Sequence, residues 1–204
     1  KANDTVHVLT RKSESVIDKN SNLKIFKGGL ENDCVLQDFL KNIDVLYHCA
    51  AEIKNESKMR QVNVEGTEKL IKYAKNNIKH WVQLSSVGVY GPIYNGNVTE
   101  KYKYNPINEY EKTKLESDIL VEKASRGNYF TSTFIQPSNV FGPTMSNQSL
   151  FQLVHKINQG MYFYIGKKGA SANYVPVENV VEALYLAATN ENAINQTYII
   201  SNYK

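Results

Sequence analysis

Little in this sequence points to a membrane, a secreted compartment or a nucleic acid. No apolar run approaches the ~20 residues that a spanning helix needs, and the opening KANDTVHVLTRK has neither the apolar core nor the cleavage site of a secretory signal. Charge of one sign is missing too. The 24 Lys and Arg stand against 20 Asp and Glu, leaving a net of +4, and the lysines are dispersed among acids and asparagines. A nucleic-acid face needs its basic residues gathered, so no such partner is expected. Cysteine is scarce, with two in the chain, Cys34 and Cys49. Cys49 closes the apolar run DVLYHCAA, where a buried free thiol is the expected state and a reducing cytoplasm the expected setting. The N-x-[ST] triplets, at Asn97 and Asn147 among others, read as chance in an Asn-rich chain. Internal repeats and low-complexity segments are absent, and no metal site is expected.

What is present is an alternation of strand and helix patterns. The 204 residues, 42% hydrophobic and 22% charged, have the composition of an ordinary globular chain and suffice for one α/β domain plus part of a second lobe. Residues 6–10 read as a short buried strand and 23–27 as another, closed by Gly28 and Gly29. Asn32 or Asp33 caps a helix whose Val35, Leu36, Phe39 and Leu40 share one face. Residues 44–49 are continuously apolar, as in a parallel strand covered on both faces. A long helix is expected over 59–76, a strand over 81–85, a helix over 108–124 and a strand over 130–136, with Pro137 opening a loop. Such alternation predicts a parallel sheet with right-handed crossovers. Beyond Gly142 a helix at 150–158, a short strand at 162–165, a helix at 177–188 and a strand at 197–201 read as a smaller lobe over the carboxyl edge of the sheet.

The segment with chemistry is Tyr110-Glu-Lys-Thr-Lys114 at the start of the 108–124 helix. Residues four apart share a helix face, so phenol and ammonium point into one space. A tyrosine with its ordinary pKa near 10 is a poor base, and the lysine cation is expected to lower it. Tyr110 then exchanges a proton with a substrate hydroxyl or carbonyl while hydride passes to or from nicotinamide. With 14 tyrosines in the chain this spacing alone is a common accident; its context gives it weight. The run Leu84-Ser-Ser-Val-Gly-Val-Tyr-Gly91 ends the preceding strand, at the sheet edge where such folds hold ligands. Ser86 can hydrogen-bond the reacting oxygen there, whereas Ser85 reads as a serine satisfying backbone groups in a turn.

These residues resemble the extended short-chain dehydrogenases, the NAD-dependent epimerase/dehydratase family. The matching pieces are Asp44-Val-Leu-Tyr-His-Cys-Ala-Ala51, Asn63-Val-Glu-Gly-Thr67, Ser85 to Gly91, Tyr110 to Lys114, Pro137-Ser-Asn-Val-Phe-Gly-Pro143 and Tyr174 to Ala183, in the family's order and spacing. The resemblance implies an α/β, Rossmann-like doubly wound parallel sheet with a small α/β substrate lobe: residues 1–141 as part of a dinucleotide-binding domain and 142–204 as part of a substrate-binding lobe interleaved with it. It implies Tyr110, Lys114 and Ser86 as the catalytic group, with Lys114 also on the nicotinamide ribose. It implies Arg11, Leu30, Cys49, Ala50, Ala51, Leu84 and Pro137, with Tyr110 and Lys114, along the cofactor. Ser86, Asn139 and Tyr110 meet substrate, and Asn63 ties the Cys49–Ala51 turn to the catalytic strand. The G-x-x-G loop that cradles a pyrophosphate does not occur in the chain, and its first strand resembles the second of that fold, so the chain is expected to be a fragment lacking the fold's first strand.

Arg11 at the end of the first strand suits a 2′-phosphate, favouring NADP over NAD, while Gly29 stands where relatives often place an aspartate near the adenine. Relatives that dehydrate 4-keto sugars carry Asp-Glu directly after the catalytic Ser/Thr. Here Val87 and Gly88 follow and can move no proton, so a 4,6-dehydratase is not expected. The arginine that clamps a diphosphate in many epimerases is Ala172 here, and Gln136 replaces another, leaving Lys167, Lys168 or residues beyond the fragment for that task. The expected activity is that of a nucleotide-sugar epimerase working through a 4-keto intermediate, or a keto-sugar reductase. The alternatives are an NADPH-dependent reductase or dehydrogenase of a non-sugar alcohol or ketone, steroid-like or flavonoid-like, and a non-catalytic dinucleotide sensor. A homodimer through the 59–76 and 108–124 helices is expected from the same resemblance.

Overall fold

The computed structural model describes residues 4–12, 22–94, 96–143, 145, 149–161 and 172–202. Eight strands are described, all paired in parallel: β1 (Val6–Thr10) with β2 (Leu23–Lys27), then β3 (Val45–His48), β4 (His80–Leu84), β5 (Thr131–Pro137) and β8 (Thr197–Ile200) in that spatial order, and β6 (Asn139–Phe141) with β7 (Tyr174–Pro176). Between them run α1 (Asp33–Phe39), α2 (Glu56–Met59), α3 (Gly66–Ala74), α4 (Glu109–Arg126), α5 (Ser149–Asn158) and α6 (Val177–Thr189). This is the α/β, Rossmann-like architecture expected. The strand expected at 162–165 lies outside the described residues, as do Lys167, Lys168 and Asn147.

The side chains of β4 show why the sheet is covered on both faces. Trp81 packs with Leu36, Leu46, Leu70, Val121 and Phe130, beneath α1, α3 and α4, while Val82 turns the other way onto Ile135 and Ala187, beneath α6. Alternation along a strand sends successive residues to opposite faces, so a run apolar at every position belongs in the middle of such a sandwich. Leu9 and Leu30 join the first of these clusters, so β1 and β2 share a core with the four-stranded sheet although no ladder connects them. At β8 the sheet ends among the described residues, and there Glu100 Oε1 accepts the Ile199 N–H at 3.0 Å.

Several expectations are corrected. β3 is covered unequally: Leu46 and His48 are buried on one face, while on the other Val45 packs against the Val82, Ile135 and Ala187 cluster and Tyr47 stays 43% exposed. The helix expected over 59–76 begins earlier, at Glu56, ends at Ala74, and contains a π-helical segment, Arg60–Glu65, that periodicity could not reveal. Such segments often accompany functional positions, and this one buries Asn63. Pro137 does not open a loop; it ends β5, and two residues on the chain forms β6, whose pairing with β7 joins the Pro137 motif to the Tyr174 motif. The elements beyond residue 142 divide. α5 and β7 stand over the carboxyl edge, whereas β8 pairs with β5 and α6 packs on β4 and β5.

Candidate active site

The carboxyl ends of β4 and β5 and the first turn of α4 converge. Asn108 caps α4, its Oδ1 accepting the Glu111 N–H at 2.9 Å, and Glu111 Oε2 reaches back to accept the Ile107 N–H at 2.8 Å. This reciprocal cap fixes the turn that carries Tyr110. Opposite, β4 ends at Leu84, and Ser86 begins a 3₁₀ turn, Val87–Tyr90, with its Oγ accepting the Gly88 N–H at 3.1 Å. Gly91 closes that turn with φ +68°, where a Cβ would run into the Asn105 carbonyl, so the glycine is required on both conformational and steric grounds.

Tyr110 and Ser86 are brought together on the wall of one cavity, close enough for the serine to act on the phenol. Lys114 is 3% exposed and its Nζ donates to the Leu84 carbonyl at 2.7 Å. Ser86 and Tyr110 thus border one space, while Lys114 lies buried behind it and does not point into the same space as the phenol. The electrostatics differ from expectation. Burial dominates at Tyr110 and pushes its phenol above the ordinary value, with Ser86 opposing, because the Lys114 ammonium is turned toward the strand end. Lys114 is itself pushed down by burial, with Asp118 and Cys49 opposing. The cavity above is lined by Leu84, Ser86, Tyr110, Pro137 and Asn139, by the polar Lys54, Glu56, Asn108 and Glu109, and by an apolar wall that includes Ile53, Met59, Val140, Met145 and Leu150.

The other expected residues fall as follows. Arg11 is exposed just past β1. Leu30 is buried, its side chain pressed on Gly66 in the core. Cys49 and Ala50 are exposed beyond β3 and Ala51 is half-buried. The expected burial of Cys49 is thus corrected, since the chain leaves the sheet there, although its surroundings still push the thiol up. Asn63 is also corrected: its Oδ1 accepts the Glu52 N–H at 2.7 Å and its Nδ2 donates to the Glu52 carbonyl at 3.1 Å and to Thr113 Oγ1 at 3.0 Å. It ties the turn after β3 to the catalytic helix, not to the catalytic strand, because Thr113 lies on the face of α4 turned toward it. Asn139 borders the cavity with its Nδ2 donating to the Asn173 carbonyl at 3.1 Å. Gln136 is buried and accepts the Tyr90 hydroxyl at 2.7 Å, a core role that leaves it away from any phosphate.

Beneath the site lies a polar cluster that the sequence reading missed. Ser85 donates to Asp118 Oδ2, and Gln83 Nε2 donates to Asp118 Oδ1 at 3.1 Å and to Ser117 Oγ at 3.0 Å. Trp81 Nε1 donates to Gln83 Oε1 at 2.9 Å. Ser117 Oγ and Thr67 Oγ1 lie 2.9 Å apart, and the His48 Nε2 is 2.9 Å from the same Thr67 oxygen. Burial raises the Asp118 carboxyl to about 6 and lowers the His48 imidazole to about 3. The signal for Asp118 was available: it follows Lys114 by four residues, one helical turn on the same face. Ser85 is not the turn serine expected, since its hydroxyl is spent on Asp118. Ser138 was also passed over; its buried hydroxyl has no hydrogen-bond partner and it borders the cavity. Such an orphan suits a polar ligand. Together with the Lys114 ammonium and the open turn at Cys49–Ala51, these groups fit the nicotinamide half of a dinucleotide.

No helix of the described residues is long and apolar enough to cross a membrane, and no group of three or more His, Cys, Asp or Glu among them is arranged to hold a metal ion. Human sterol-4-alpha-carboxylate 3-dehydrogenase, decarboxylating, is 30% identical over 178 residues, which are 83% of this chain and 48% of that protein. The chain spans about half the length of the curated sterol dehydrogenases it matches. A UDP-N-acetylglucosamine 4-epimerase from Methanobrevibacter ruminantium, in complex with UDP-N-acetylmuramic acid, superposes with a TM-score of 0.81 at 23% identity, covering 98% of this chain and 69% of that one. The dTDP-glucose 4,6-dehydratase DesIV from Streptomyces venezuelae, with NAD and TYD bound, gives 0.79 at 23% identity, covering 97% and 66%. At such identities these two structures establish the shared fold alone. The model of the NAD dependent epimerase/dehydratase family matches residues 1–201, nearly end to end, and the chain belongs to that family.

Proposed function

We propose that the protein oxidises and reduces a carbinol carbon of a nucleotide sugar with a nicotinamide dinucleotide, as an epimerase through a 4-keto intermediate or as a keto-sugar reductase. The observation that carries this reading is the Tyr110 phenol, which lines an open cavity together with Ser86 while the Lys114 ammonium lies buried behind it. Arg11, Cys49, Ala50, Ala51, Leu84 and Pro137 would border the cofactor, with Lys114 on its ribose and Arg11 favouring a 2′-phosphate. When bound, the cofactor supplies hydride acceptance and donation. Tyr110 takes the proton of the substrate hydroxyl during oxidation and returns it during reduction. Ser86 steadies the same oxygen. Lys114 keeps positive charge near the phenolate that forms, offsetting the burial that holds the phenol protonated.

Water elimination is the least supported reaction, because Val87 and Gly88 carry no carboxyl. Glu111 lies against Gly88 but is committed to the Ile107 N–H, which leaves Glu56 and Glu109 as the carboxyls that line the cavity. A second reading, dehydrogenation or reduction of a sterol-like alcohol or ketone, is favoured by the apolar wall of Ile53, Met59, Val140, Met145 and Leu150 and by the likeness to the sterol dehydrogenases. The proposal extends to self-association through the face carrying α2, α3 and α4, where Ile119 is exposed beside the Arg60–Glu116 ion pair.

The test offers the full-length protein UDP-glucose and UDP-N-acetylglucosamine with NAD+ or NADP+, and a simple ketone with NADH or NADPH. Interconversion of sugars without net cofactor turnover is the expected result, and Tyr110→Phe should slow it by ~10²–10⁴-fold while cofactor binding persists. Undiminished activity in that variant overturns the proposal. Turnover of ketones alone selects the second reading, and cofactor binding with no turnover marks a sensor.

A further inference from the structure

The Asp118 carboxylate lies one turn below Lys114 on α4, wholly enclosed, and nothing in the proton transfer itself uses it. Its two oxygens are held from the adjoining strand, by the Ser85 hydroxyl and the Gln83 amide. Those residues flank Leu84, whose carbonyl accepts the Lys114 ammonium at 2.7 Å. Ser86, the partner of Tyr110, follows directly. We propose that Asp118 is a positioning residue that acts through Lys114: anchored on β4 by Ser85 and Gln83, its buried negative charge keeps the neighbouring ammonium charged and aimed at the end of that strand. This rests on the function proposed above.

The groups facing the carboxylate define what its charge does. On α4 these are Lys114, which favours the ionised carboxylate, and Glu122, which opposes it. From the segment after β4, Tyr90 and Tyr104 feel the negative charge and are raised by it, as is Tyr110. Lys114 in turn meets His48 and Cys49 at the end of β3, and the imidazole there is neutral. Burial acts to strip the proton from Lys114, and Asp118 is the largest influence retaining it. A cation lost at this point would leave the Tyr110 phenolate without its counter-charge.

The direct test follows the Lys114 side chain by NMR in protein labelled with ¹³C-lysine, assigned with Lys114→Arg. Asp118→Asn keeps the shape, and its amide can accept from Gln83 while donating to Ser85. The midpoint of the Lys114 titration is expected to fall by ~1 pH unit in this variant. A folded variant whose midpoint is unmoved overturns the proposal, since a merely structural carboxylate would leave it in place. Should Asp118→Asn fail to fold, the reciprocal measurement applies. In Lys114→Met the Asp118 carboxyl midpoint must rise above its value near 6, and an unmoved carboxyl overturns the proposal equally. Neither titration needs a substrate. An active Tyr110→Phe variant would sink the proposed function and leave these shifts standing.

Discussion

At the scale of single residues, the site places two titratable groups of opposite sense in one core. The His48 imidazole is neutral in the fold, held to about 3 against an ordinary 6.5, whereas Asp118 is raised to about 6 from 3.8. Their linkage signs are opposed. The depressed imidazole contributes stability that is complete above pH 6.5 and is lost as pH falls toward 3, because the unfolded chain binds the proton and the fold does not. The raised carboxyl contributes stability present below 3.8 and lost as pH rises through 6. Between about pH 4 and 6 the two slopes offset, each worth up to ~1.4 kcal/mol per pH unit. Urea unfolding across this interval should therefore diverge in the variants. Relative to wild type, His48→Gln should gain stability on acidification and Asp118→Asn should lose it. Parallel profiles for all three proteins would refute the assignment of both groups.

The nearness of Tyr110 to Ser86 was legible in the sequence, because the motifs that carry the family resemblance put one on the first turn of a helix and the other at a strand end. The direction of the Tyr110 shift was not. It depends on how much of the phenol is removed from water and on which way the lysine turns, and neither is a property of spacing. Gln136 makes the same point. Its position suggests a substituted phosphate ligand, yet its side chain is consumed by Tyr90 inside the core.

At the scale of elements, α4 carries Tyr110 and Lys114, and its start is set by a local signal. Asn108 and Glu111 satisfy otherwise orphaned N–H groups across the cap. Asn108→Ala should destabilise the protein by ~1 kcal/mol and lower turnover by more than that loss would suggest, because the first turn holds Tyr110. Denaturant titration together with steady-state kinetics measures both, and a variant with full turnover would show that the cap does not govern the site. Most elements could be read in advance, since apolar periodicity marks a strand or helix wherever one face is buried. The π-helical segment at Arg60–Glu65 could not, because one turn of widened helix leaves the pattern of apolar positions almost unchanged. The β6–β7 pair escaped for another reason: three-residue strands contain too little alternation to register.

At the scale of the whole molecule, the cavity draws its walls from segments far apart in sequence, around Ile53–Met59, Leu84–Ser86, Asn108–Tyr110, Pro137–Met145 and Tyr174. It exists only once the parallel strands are in register. Self-association belongs to this scale. The exposed Ile119 and the Arg60–Glu116 pair lie on a helical face, α2 to α4, that a second copy can cover. Sedimentation of the full-length protein at micromolar concentration should report a dimer, and a monomer would remove that part of the proposal.

The Glu100 carboxylate on the Ile199 amide bears on a different hazard. Where the sheet of the described residues stops, at β8, a strand edge carries a row of hydrogen-bonding groups that another strand could pair with. An arriving strand would find one of those amides already engaged, and by a negative charge that it would have to displace and leave stranded. The segment that follows Ser86 thus blunts one position on that edge.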